Sequence, residues 1–215
     1  MKRARAGTMS MTETSQKDRF WQRIRMLLGA GPGGRQALGR AEPARRLSSA
    51  RPLDEELQRG WMLCAERRVS LCVMALEVDC FPEYLAAYGR DASEDCLDRI
   101  EAVIVGQLKR EGDTCLRMGQ SGFLLVLPDM PMLMGRDLAL RIAQAVRRAG
   151  LANKESHAGA VTLGAGLAVV NPEPPFDRIA LDMARQALRK AQRRGLSRLD
   201  IADLRVADER RSVAA

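Results

Sequence analysis

The run Ser70–Val78 (SLCVMALEV) is apolar almost from end to end, and it limits the fold more than any other feature of the chain. A stretch so short and so hydrophobic, without polar alternation, reads as a central strand covered on both faces. Helices must therefore lie on both sides of a sheet, and the flanking periodicity supplies them. Leu53, Leu57, Trp61 and Cys64 predict a helix running to about Arg67. Asp91-Ala92-Ser93-Glu94 reads as a capping box, opening a helix with Leu97, Ile100, Ile104 and Leu108 inward and Gly112 at its end. Two short apolar runs, Thr114–Met118 and Phe123–Leu127, flank the tight Gly119-Gln120-Ser121-Gly122 and predict a β-hairpin. A helix over Leu133–Ala149, a strand over Ala160–Val170, a helix over Phe176–Arg194 and a strand over Leu199–Leu204 complete the order. The expected class is α/β, with a mixed sheet and a central β-hairpin flanked by helices. The hairpin interrupts the βαβ alternation and so excludes a doubly wound parallel sheet.

Length and charge divide the chain. Its 215 residues suffice for one ordinary domain and a tail. Residues 1–51 hold 12 Lys or Arg against three acids and carry +9, which leaves −1 for the rest of a chain whose total is +8. The basic character thus belongs to the tail and not to the domain, residues 52–205. Rich in Gly, Ser, Ala and Pro, the tail is expected to be mostly disordered, as are residues 206–215. Within it, residues 18–28 predict a short amphipathic helix, with Phe20, Ile24, Leu27 and Leu28 on one face among arginines. Three turns are marginal alone, so Phe20–Leu28 is expected to dock on a protein partner, on an anionic membrane surface or on its own domain.

Several function classes fall away. Aromatic residues make up 4% of the chain, too few for a base-stacking platform, and nucleic-acid binding by the tail is disfavoured. The five cysteines form no CxxC pair and His157 stands alone, so no zinc cluster or disulfide scaffold is expected. No signal peptide and no membrane span are visible, which predicts a cytoplasmic protein that a peripheral contact could recruit to the inner membrane.

Five landmarks in order along Leu53–Ile201 then resemble the GGDEF domain of the diguanylate cyclase family. Glu77-Val78-Asp79-Cys80-Phe81 is similar to D-x-D-x-F at the end of the first strand. Tyr88-Gly89 followed by Glu94 matches the aromatic-Gly pair and the Asp beyond it. Arg117-Met118-Gly119-Gln120-Ser121-Gly122-Phe123 resembles R-Y-G-G-D-E-F, Val161-Thr162 with Gly166 resembles V-T-x-S-x-G, and Ala187-Leu188 with Gly195 matches the late helix. The resemblance implies a nucleotide-cyclase palm in which metal ions and GTP sit at the signature turn. The departures imply a degenerate member. At that turn (Gly119, Gln120, Ser121, Gly122, Phe123) the acids have become Ser121 and Gly122, and Gln120 replaces the second Gly. Pro82 and Leu85 stand where the family has a Lys and an Asn, which implies lost phosphate and guanine contacts, and Gln192 and Leu196 replace its late Lys and Arg. No catalytic residue, metal site or cofactor is therefore expected, and the protein is read as a non-enzyme.

A product-binding motif survives in register. The family's second site, R-x-x-D ending five residues before the signature, is met by Arg110-Glu111-Gly112-Asp113. The chain's 30 Arg and 14 Asp produce about two such matches by chance, so only the register gives this one weight. Arg110 in the last helical turn and Asp113 beyond a Gly cap are expected to face one patch of solvent. There the guanidinium can grip phosphate or a guanine edge, and the carboxylate can accept from guanine N1–H and N2–H. Arg141 (or Arg136) on the next helix would complete the site. The expected function is a non-catalytic cyclic di-GMP receptor that relays its ligand state to a protein partner in exopolysaccharide, biofilm or motility control. The alternative is a ligand-free scaffold, and a homodimer stays open.

Overall fold

The computed structural model describes residues 53–205. The predicted tail 1–51, its helix at 18–28, and residues 206–215 lie outside them. Helix α1, Leu53–Arg67, opens on Asp54, Glu55 and Glu56 and closes on Arg67, charges that complement the helix dipole at both ends. Strand β1, Leu71–Val78, follows. Helix α2, Phe81–Val105, leads to the hairpin of β2, Thr114–Met118, and β3, Gly122–Pro128. Helix α3 is Met132–Arg148, β4 Leu163–Val170, α4 Ile179–Arg193 and β5 Leu199–Asp203.

The sheet runs β2-β3-β1-β4-β5. Strand β1 pairs antiparallel with β3 on one side and β4 on the other, and only β4 with β5 is parallel. Successive side chains of β1 feed two cores, as the pleat requires. Cys72, Met74, Leu76 and Val78 pack with Leu97 and Ile100 of α2 and Leu138 and Ile142 of α3. Leu71, Val73 and Ala75 pack with Leu57 and Trp61 of α1 and Leu181 and Ala184 of α4. Nearly all of β1 is buried, which is why its sequence shows no alternation.

Three expectations are corrected. Phe81–Tyr88 is helical and was not foreseen. Pro82 sits where a missing N–H does no harm, after Cys80 at φ 54°, and Gly89 (φ 79°, ψ 175°) kinks the helix. The capping box at Asp91 does not form, because the helix already runs there and the Ser93 hydroxyl donates to Gly89 O at 2.8 Å. The same helix ends at Gly106, not Gly112, so Arg110 lies in the loop that follows it.

Helix α4 approaches β4 more closely than a side chain permits. A Cβ at Gly166 would lie 2.1 Å from Ala184 O and 2.2 Å from Leu188 N, both backbone atoms. The buried face of α4 is largely alanine (Ala180, Ala184, Ala187, Ala191), which allows that approach. We expect Gly166→Ala to lower the unfolding free energy by about 3 kcal/mol or more in urea titration. Gly164→Ala, whose Cβ meets nothing nearer than 3.3 Å, should cost roughly 1 kcal/mol or less.

Candidate functional site

Antiparallel pairing brings the end of β1 between the starts of β3 and β4. Glu77 lies opposite Gly122 on one side and Gly164 on the other, so no neighbouring side chain crowds its carboxylate. Two neutral donors hold it. Ser121 Oγ donates to Oε1 at 3.2 Å and Gln192 Nε2 to Oε2 at 2.7 Å, tying β1, the hairpin turn and α4 together. Asp79 is buried and engaged differently. Its Oδ2 accepts from Thr162 Oγ1 at 2.6 Å and from the Ser197 backbone at 2.9 Å, an anchor for the loop after α4. Glu77, Asp79, Ser121 and Gln192 border an open cavity of about 910 Å³, walled further by Pro82, Glu83, Leu85, Gln120 and Leu196.

The donors at this turn do not fit the metal ions that the resemblance implies. Gly122 offers no ligand and its backbone leaves no space for one, since a Cβ there would lie 2.7 Å from Met118 O and 3.0 Å from Leu76 O. Asp79 is committed to Thr162 and Ser197. Among the described residues no three His, Cys, Asp or Glu side chains gather to hold a metal ion. Gly119, at φ 66°, makes the turn possible, Gln120 is exposed and Ser121 is buried. Phe123 is fully buried beneath Arg117, whose guanidinium lies 5.2 Å from the ring centroid. Arg117 also pairs with Glu101 at 2.8 Å and Asp98 at 2.7 Å, bracing the hairpin against α2.

Arg110 and Asp113 lie at the other end of β3. They are joined by a turn closed by the Asp113 N–H on Arg110 O at 3.3 Å, with Gly112 at φ 94° between them. Contrary to expectation they do not both face solvent. Asp113 is 4% exposed and its Oδ1 has no hydrogen-bond partner. Arg110, half-buried, donates Nη2 to Pro128 O at 2.8 Å and Nη1 to Met130 Sδ at 3.5 Å, leaving its other N–H groups available. Arg136 and Arg141 are exposed on α3, and no described contact joins Arg141 to Arg110 or Asp113. The sequence did not reveal the Glu77 clasp. A Ser in a tight turn and a Gln near a helix end carry no distinctive signal.

Burial pushes the Asp113 carboxyl up from its ordinary 3.8 to about 6, opposed by the Arg110 guanidinium and a backbone hydrogen bond from Arg110. Because the folded value exceeds the unfolded one, the stability linked to this group is fully present below about pH 4 and is lost as the pH rises through about 6. Asp113→Asn removes that dependence. We expect its stability relative to the wild type to rise by roughly 2 kcal/mol between about pH 4.5 and 7.5, read from urea midpoints.

Compared with known families, residues 44–198 match the diguanylate cyclase, GGDEF domain. The diguanylate cyclase DosC of Escherichia coli (strain K12) is 27% identical over 131 residues, which are 61% of this chain and 28% of that protein. The chain thus spans little more than a quarter of that relative. Among solved structures, diguanylate cyclase SiaD in complex with its activator SiaC, from Pseudomonas aeruginosa, shares 26% identity, with a TM-score of 0.62, over 88% of this chain and 70% of that one. The GGDEF domain of DgcB from Caulobacter crescentus in complex with c-di-GMP shares the fold, at 20% identity and a TM-score of 0.63, over 79% of this chain and 98% of that one. Among the described residues no helix is long and apolar enough to cross a membrane.

Proposed function

The chain belongs to the GGDEF-domain family, and we propose that within it this protein is a non-catalytic receptor: it binds cyclic di-GMP at the Arg110–Asp113 turn and relays occupancy to a protein partner. One observation carries the receptor half of this reading. The Asp113 carboxylate is buried near the Arg110 guanidinium with Oδ1 left unpaired, an arrangement that is costly unless the turn opens and a donor reaches it. The guanine N1–H and N2–H edge is such a donor pair, and the free N–H groups of Arg110 suit a phosphate or the guanine O6/N7 edge. Gly112 has nothing within 4 Å of its absent side chain, so a ligand can come close to the backbone. Arg141 is placed here as a solvent-facing third contact.

The absence of catalysis is supported from the other end of the sheet. Attack on an α-phosphate needs carboxylates to hold cations against the developing charge. Ser121 and Gly122 bring none, and Glu77 is left as one carboxylate where the metal site needs several. An engineered Gly122→Glu would not restore the ligand without moving the turn, because of the Met118 carbonyl 2.7 Å from its Cβ. One contact with the partner is assigned to residues 20–28 of the tail, which lie outside the described residues. Exopolysaccharide, biofilm or motility control follows from the family resemblance.

Calorimetric titration of the full chain with cyclic di-GMP tests this. We expect saturable binding weakened at least tenfold, about 1.4 kcal/mol, in Arg110→Ala. No cyclic di-GMP should accumulate from GTP and Mg²⁺. A silent wild-type titration with the fold intact would refute the receptor, and turnover of GTP would refute the non-catalytic half.

A further inference from the structure

The cavity at the end of β1 has the chemistry of a cation site. None of its fourteen lining residues is Lys, Arg or His. Glu77 presents a carboxylate oriented by Ser121 and Gln192, both neutral donors, so its charge is held in place without being cancelled. Glu83, in the first turn of α2, is exposed and makes no hydrogen bond or ion pair with the other described residues. Gln120 adds an exposed amide from the turn. Asp79 also lines the wall, with Oδ2 engaged by Thr162 and Ser197, and most of the remainder is hydrocarbon, chiefly Pro82, Leu85, Ala86 and Leu196. A nucleoside triphosphate entering here would meet like charge with no basic lining residue to offset it. A guanidinium on an aliphatic stem matches both parts of the wall, because its fork pairs with carboxylates while its methylenes lie on apolar surface.

We infer that this cavity is a docking pocket for an arginine side chain presented by a partner protein. Charge complementarity selects the cation, and the carboxylates together with the apolar wall select arginine over a compact ammonium. The exposed rim of Pro82, Glu83, Ala86 and Gln120 gives the segment that delivers it a surface to lie on. The inference rests on the non-catalytic reading of this cavity and identifies the chemistry of the partner's contact. It does not involve the Arg110 turn.

The test is nuclear magnetic resonance titration of the full chain with acetyl-Gly-Arg-Gly-amide, with acetyl-Gly-Gln-Gly-amide and GTP–Mg²⁺ as separate arms. The arginine peptide should shift the amides of residues 77–86, 120–121 and 192–196 saturably, in the millimolar range expected for one side chain (roughly 4 kcal/mol). Glu83→Gln, an exposed substitution that leaves the fold intact, should weaken that binding at least fivefold. Absence of saturable shifts, equal shifts with the glutamine peptide, or an unaffected Glu83→Gln would each overturn the docking pocket alone. Saturable GTP–Mg²⁺ binding at the same amides would overturn this inference, and turnover of that GTP would overturn the non-catalytic reading with it.

Discussion

Everything in this domain hangs on the burial of β1. From Leu71 to Glu77 each residue of the strand has a cross-strand partner on both sides, so its backbone is satisfied by β3 and β4 together. Its side chains fill both cores in alternation. A strand so placed can end in a polar residue only where the sheet opens, and Glu77 and Asp79 are placed there. The position of the candidate cavity is thus a consequence of topology. Antiparallel neighbours on both sides bring the hairpin turn and the start of β4 to the same edge as the end of β1.

Periodicity made most of this legible. The bounds of α1 and β2 agree with the sequence reading residue for residue, because spacing, a charge at each helix end and apolar composition all point the same way. Helix α2 defeated the reading through local chemistry. Pro82 and Gly89 look like breakers, yet Pro fits a first helical turn and Gly89 absorbs a kink while the chain stays helical on either side. Helical spacing also continued falsely past Gly106. Leu108 is buried, at 6% exposure, but from the loop, so an apolar residue at the right interval extended the expected helix too far.

The candidate sites were legible as residues and not as geometry. Register along a family-like pattern paired Arg110, at a helix end, with Asp113 beyond its cap; both lie instead in the loop that leads into β2. Their burial was not legible, since it depends on Pro128 and Met130, which return from the far strand of the hairpin. The substitutions at Ser121 and Gln192 read in the sequence only as losses. In three dimensions they meet at one carboxylate, across a separation of 71 residues that no local pattern could bridge.

The two sites carry opposite chemistry and lie at opposite ends of β3. Gly122 and the cavity mark its start, Pro128 and the Arg110 contact its finish, a span of about 20 Å for a strand of seven residues. That distance is about twice the Debye length at physiological ionic strength, so removing the Glu83 charge has little direct effect on an anion held by Arg110. Coupling between them would have to pass through the strand itself. Its interior, Phe123–Leu127, is fully buried and packed against both cores, which makes it stiff. The fold therefore keeps the Arg110 turn and the Glu77 cavity as separate surfaces on one rigid sheet.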